Sequence, residues 1–311
     1  METDGARGNW GRWGPADERG ALNLATPEVV LGAAGALRTG KVYSLAIPIS
    51  PSRTPAVFDR MVPERLTRTA PPDTPATDPL DSRRDDGLPR AGASDDVLMF
   101  SSHTGTHLDA LCHVFEGDAF YNGHPVESFS TRRGATKCSI ERTGTFATRA
   151  VLLDVQALLA SEGTIGPTDP VAAGYTITAS DLQRCCDRQQ VGLTAGSAAL
   201  IHTGWLELLK ADRSTPGYPQ AGIGLGAAAF LQSHDVAVVG ADNSAVEVLP
   251  FDGGRHLAVH VELLVHSGIG LLEHLWLADL AADACYESLL VVGALPVTGA
   301  TGSPVNPVAI G

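Results

Sequence analysis

No stretch of this 311-residue chain approaches the roughly 20 uninterrupted apolar residues that a membrane-spanning helix requires. The opening residues, METDGARGNWGRWGPADERG, lack the apolar segment of a secretory signal, so the expected location is the cytoplasm. Basic charge is scarce. Against 35 Asp and Glu stand 22 Lys and Arg, the formal net charge is −13, and no dense basic run occurs. A nucleic acid, which needs a basic footprint to neutralise its phosphates, is therefore not an expected partner, and neither is a membrane. Cysteine is sparse and unpatterned: Cys112, Cys138, Cys185, Cys186 and Cys285 form no CxxC, and the count is odd. This describes reduced thiols rather than a disulfide framework. There is no GxSxG elbow, which disfavours nucleophilic serine chemistry. No repeat or second linker divides the chain, so residues 1–311 read as a single α/β domain.

The 44% hydrophobic content supplies a sizeable core. Residues 1–25 read as an N-terminal arm. Thr26-Pro27-Glu28 is a helix start, with Thr as N-cap, Pro in the first turn and an acid at the positive end of the dipole. That helix runs to about Leu37 and stops near Gly40. Strands are expected over 41–49, 149–155, 197–204 and 235–242, and in ESLLVVGALPV near the end; a helix is expected over 178–190, capped by Thr178 or Ser180. Residues 51–95, rich in Pro, Arg, Asp and Thr, carry no periodicity and read as a long lid or substrate loop, with Val57, Phe58 and Met61 turned toward a ligand.

The chemistry is concentrated in SSHTGTHLDALCH, Ser101 to His113. His103 and His107 stand four apart, Asp109 follows two further on, and His113 four beyond that. Imidazole nitrogen together with carboxylate oxygen suits Zn²⁺, Mn²⁺ or Fe²⁺, whereas Ca²⁺ and Mg²⁺ prefer all-oxygen shells. Thr-Gly-Thr between the histidines argues against a helix. An extended segment places His107 and Asp109 on one side, and Gly105 lets the backbone curl round an ion. A second, weaker grouping is HVELLVHSGIGLLE, which contributes His260 and Glu273; an amphipathic core segment explains it equally well. His202 reads as either a pocket or a core residue, and Trp10 and Trp13 as packing anchors or substrate contacts.

HTGTHLDALCH resembles the HxGTHxDxPxH signature of the cyclase family of metal-dependent hydrolases. That family includes bacterial kynurenine formamidase, isatin hydrolase and some aromatic polyketide cyclases. NWGRWGPADERGALNLATPE, YNG at Tyr121–Gly123, IHTGW at Ile201–Trp205, DNSAVE at Asp242–Glu247 and HVELLVHSGIGLLEHL are similar to its longer, isatin-hydrolase-like branch. The likeness spans about Asn9 to Val297. One departure is Leu111, where the motif has a proline that shapes the turn.

The resemblance implies a swivelling β/β/α-like fold with a mixed central sheet. It implies that His103, His107 and Asp109 hold a divalent metal, Mn²⁺ or Zn²⁺, with His113 as acid/base. His260 and Glu273 are implied as ligands of a second metal sharing Asp109, or as groups orienting water or substrate. The implied activity is hydrolysis of a small amide, cyclic amide or lactone in a homodimer or higher homo-oligomer. A ring-forming cyclase or lyase and a non-catalytic small-molecule binder are the alternatives.

Overall fold

The computed structural model describes residues 8–55, 57, 58, 60–69, 93–212 and 217–311. Among them nine strands form the main sheet: β1 (Val42–Ser44), β2 (His107–Asp109), β3 (Thr145–Asp154), β4 (Ala198–His202), β5 (Val238–Ala241), β6 (Gly270–Glu273), β7 (Glu287–Gly293), β8 (Gly302–Pro304) and β9 (Val308–Ile310). Their order across the sheet is β1–β9–β7–β3–β4–β5–β6–β2–β8. The central run β3–β4–β5–β6 is parallel. Its flanks are antiparallel, with β7 on β3, β9 on β7, β1 on β9, β2 on β6 and β8 on β2. The whole is one mixed α/β domain.

Strands buried on both faces read as continuous apolar runs. Every residue of β4, β5 and β6 is buried, and Leu200, Val238, Leu271 and Leu272 are fully excluded from solvent. Each contributes roughly 1.5–3 kcal/mol relative to an exposed side chain. Helices follow the parallel strands, at Val155–Ser161, Ala179–Gln189, Trp205–Ala211 and Leu225–Ser233. Thr178 caps the second of these through a reciprocal capping box with Asp181. The first helix spans Pro27–Ala33 with the Thr26 side chain accepting from Val29 N, and a short 3₁₀ turn carries it to Ala36.

One expectation needs correction, and two gain detail. The strand expected over 41–49 is only Val42–Ser44 long, because the chain leaves the sheet to brace the histidine motif: Ile47 N donates to Thr106 Oγ1 at 2.9 Å. The arm is tied down from Gly8 onward. Asn9 N donates to His266 O, Trp10 Nε1 to Val265 O at 2.7 Å, and both Trp10 and Trp13 pack on the core. Within the expected lid, Glu64–Thr69 and Asp95–Met99 pair as an antiparallel ribbon. Every residue of its second strand is exposed, so no face is buried and no alternation marks it in the sequence. Residues 70–92 of that expectation lie outside the described residues.

Candidate metal centre

Local sequence and sheet register together build this site. Gly105 takes φ +61°, turning the chain into β2, whose alternation sets His107 and Asp109 on one face. β6 lies antiparallel to β2 with Glu273 directly opposite His107, which brings the two side chains together across the ladder. On the other edge of β2, Gly302 of β8 faces Asp109. Only glycine fits there, since a Cβ would stand 2.7 Å from His103 Cε1 and 2.9 Å from Leu108 O. His103 comes from the preceding turn and His113 from the one that follows.

The side chains converge on Asp109. His103 Nδ1 lies 2.8 Å from Asp109 Oδ1, and His103 Nε2 is 2.9 Å from Thr301 Oγ1. His107 Nε2 is 3.6 Å from Asp109 Oδ1 and 3.2 Å from Glu273 Oε2, without hydrogen-bond alignment to either. His260 Nε2 sits 3.8 Å from Asp109 Oδ2 and 3.5 Å from Glu273 Oε1. The rings of His103 and His113 are 4.0 Å apart, centroid to centroid. Two sets of three donors, His103–Asp109–His113 and His107–Asp109–Glu273, each bring their atoms within 4.8 Å of one another.

Two of the histidines are oriented from behind. His107 Nδ1 lies 2.8 Å from Gly105 O, and His260 Nδ1 lies 2.5 Å from Glu247 Oε1. Glu247 also accepts from Val259 N at 3.1 Å. Such outer carboxylates fix the tautomer and aim Nε2 inward.

The charges follow from this packing. Burial opposes ionisation of Asp109, but His113, His103 and His107 outweigh it and hold its carboxyl well below the usual range. Burial likewise opposes the Glu273 charge, yet His107 and His260 bring it down to about 2. His260, penalised by burial but paired with Glu247 and Glu273, rises to about 10. His113 goes the other way. Burial, with His103 and His260 nearby, lowers it to about 4, so it is a neutral imidazole at pH 7.

The residues present fit a divalent cation. Three buried polar atoms, His107 Nε2, Asp109 Oδ2 and Glu273 Oε2, have no hydrogen-bond partner. Unpaired polar atoms in an interior cost about 1–3 kcal/mol each, and a cation bound among them removes that cost. The donors are imidazole and carboxylate, the set preferred by Zn²⁺ and Mn²⁺. Cys112 takes no part: it is buried, and desolvation pushes its thiol up to about 12.

Sequence reasoning missed Arg60 and Thr301. Arg60 Nη1 donates to His103 O at 3.0 Å and lies 3.9 Å from Glu273 Oε2. It brings the segment before the ribbon to the site, while Val57 is buried and Phe58 and Met61 are about half exposed. His202, at the end of β4, is hydrogen-bonded instead to Asp154 at the end of β3 and to Glu207 in the helix Trp205–Ala211.

The fold and this histidine–carboxylate cluster define a mixed-sheet protein with a candidate cation-binding centre beside its parallel run. The profile described as "Putative cyclase" matches residues 43–248, well over half of the chain, and the chain belongs to the cyclase family. A solved structure described as a novel cyclase is 34% identical, covers 98% of this chain and 97% of its own, and superposes with a TM-score of 0.84. Isatin hydrolase A from Ralstonia solanacearum is 18% identical over 91% of this chain and 96% of its own, with a TM-score of 0.59. A structure described as a predicted metal-dependent hydrolase from Bacillus stearothermophilus is 18% identical, covers 87% of this chain and 98% of its own, and gives a TM-score of 0.51. Among proteins of curated function none is significantly similar in sequence.

Proposed function

We propose that this protein is a metal-dependent hydrolase that opens a small amide, cyclic amide or lactone. His103, His107 and Asp109 hold the ion, and His113 serves as acid/base. The observation that carries this reading is the pair of three-donor sets that share Asp109, His103–Asp109–His113 and His107–Asp109–Glu273, with His107 Nε2, Asp109 Oδ2 and Glu273 Oε2 buried and unpartnered. Family membership and the hydrolase descriptions of two similar structures support it.

A bound divalent ion supplies Lewis acidity toward a substrate carbonyl and lowers the pKa of water from near 16 to about 7–9. The remaining work belongs to the chain. Asp109 stays ionised and lies between the histidines. His113, unprotonated at neutral pH, takes a proton from the attacking water and returns one to the departing nitrogen or oxygen. Glu247 keeps the His260 ring aimed at Asp109 and Glu273.

Asp109 also favours a two-ion reading of the centre. Its Oδ1 faces His103 and His107, while its Oδ2 faces His260. On that reading His260 and Glu273 hold a second Mn²⁺ or Zn²⁺ and share Asp109. The working unit is a homo-oligomer, a homodimer at its simplest. Leu66, Val97, Leu98 and Met99 on the ribbon are all at least 45% exposed, and an uncovered two-stranded ribbon is marginal in water. Light scattering on the purified protein is expected to give at least twice the chain mass.

Turnover of amides and lactones in ¹⁸O-water tests the reaction type. Hydrolysis incorporates one solvent oxygen into product. Product formed without solvent oxygen would instead assign the ring-forming cyclase or lyase chemistry.

A further inference from the structure

We propose that the carboxyl ends of β3, β4 and β5 carry a separate binding site for a divalent transition-metal ion, formed by His202 Nε2, Glu207 and Asp242, with Asp154 orienting the imidazole. Lying one to three strands along the sheet from Glu273, these residues take no part in the proposed hydrolysis, and the inference goes beyond that reading.

The geometry repeats the arrangement of the metal centre. At His260, Nδ1 rests on Glu247 while Nε2 faces the carboxylates of Asp109 and Glu273. At His202, Nδ1 lies 3.0 Å from Asp154 Oδ1, while Nε2 faces Glu207 Oε1 at 2.6 Å and Asp242 Oδ2 at 4.0 Å. A carboxylate behind the ring and two in front is the carboxylate–histidine–metal arrangement, in which the rear group fixes the tautomer. The donor atoms of His202, Glu207 and Asp242 all lie within 4.8 Å of one another.

Three further observations point to a cation. Glu207 Oε2 is buried without a hydrogen-bond partner, like Glu273 Oε2 in the first centre. Three carboxylates face one imidazole, and among the described residues no lysine or arginine is ion-paired with Glu207 or Asp242. Asp242 is already positioned, accepting from Thr203 N, Thr203 Oγ1 and Gly204 N at 2.7–3.0 Å. Ligating carboxylates are commonly held in this way.

Zinc–ligand distances of about 2.0–2.2 Å separate neighbouring donors by roughly 3.3 Å. Glu207 must therefore draw back slightly from His202. Its side chain is 30% exposed, which leaves room for that movement and a path for the ion to enter. The ion would join β4, β5 and the helix Trp205–Ala211. Trp205 stacks on His274, the neighbour of Glu273, with ring centroids 5.8 Å apart.

The test is to load the purified full chain with Zn²⁺, remove excess, and count equivalents by elemental analysis in the unaltered protein, Glu207→Gln and His107→Ala. Both sites are supported when each variant loses its own metal. Loss in His107→Ala alone overturns the second site and leaves the first standing. Loss in Glu207→Gln alone supports the second and overturns the first. Anomalous diffraction at the zinc edge on the unaltered protein decides the matter without any variant. A peak within about 2.5 Å of His202 Nε2 is expected, and a map without one there overturns the site.

Discussion

Asp109 is almost wholly buried and still ionised because three histidines surround it, and that arrangement makes single side chains testable. His113→Ala is expected to lower kcat by about 10²–10⁴-fold with metal content nearly unchanged, because acid/base transfer contributes on that scale. Elemental analysis beside a turnover assay checks it, and full activity would remove His113 from the mechanism. Glu247→Gln weakens the support behind His260, so metal affinity is expected to fall about 10–100-fold. A competition titration with a chelating dye measures this, and unchanged affinity would remove Glu247 from that role. Gly302→Ala alters no ligand but places a methyl against His103, so it too is expected to weaken metal binding. His103, His107, Asp109 and His113 were legible because they lie within one thirteen-residue run whose chemistry is local. Arg60 and Thr301 were not, since nothing in their own neighbourhoods distinguishes them and only the fold brings them to His103.

At the level of elements, the helix capped by Thr178 and the apolar strands β4 and β5 could be read directly, because capping and burial leave local patterns. The ribbon Glu64–Thr69/Asp95–Met99 could not, since neither of its faces enters the core. The segment after β1 misled for the opposite reason: it is apolar, yet it braces Thr106 and does not extend the ladder. The π-helical turn Val261–Ser267, which follows His260, offers a pH test. His266 lies 3.1 Å from Glu262 and 2.8 Å from Glu116, and these carboxylates, against the opposing effect of burial, raise its pKa. A raised folded pKa contributes stability that is complete below the unfolded value near 6.5 and is lost as pH rises through the folded value. His266→Gln is therefore expected to lower Tm by about 1–3 °C more at pH 5.5 than at pH 9. An equal loss at both would contradict the pairing.

Across the whole molecule, the class was legible before the topology. An α/β domain followed from alternating apolar runs and helix starts, and the mixed sheet from the family resemblance, whose motifs spread over most of the chain. The strand order was not legible, because β2, β8 and β9 are three-residue strands whose pairing depends on register rather than on sequence pattern. Among the described residues no helix is long and apolar enough to cross a membrane. Asp109 of β2 and Glu273 of β6 meet at the proposed metal centre, so chelation is expected to lower Tm as well as activity.

Metal-dependent hydrolysis at His103, His107 and Asp109 can be tested in one assay. The most direct measurement is hydrolysis of isatin, N-formylkynurenine and a panel of small amides and lactones, before chelation, after it, and after restoring Mn²⁺ or Zn²⁺. Turnover that chelator abolishes and metal restores is expected, with His107→Ala inactive throughout. Hydrolysis that persists in the fully chelated protein, or none from the fully metallated one, would contradict it.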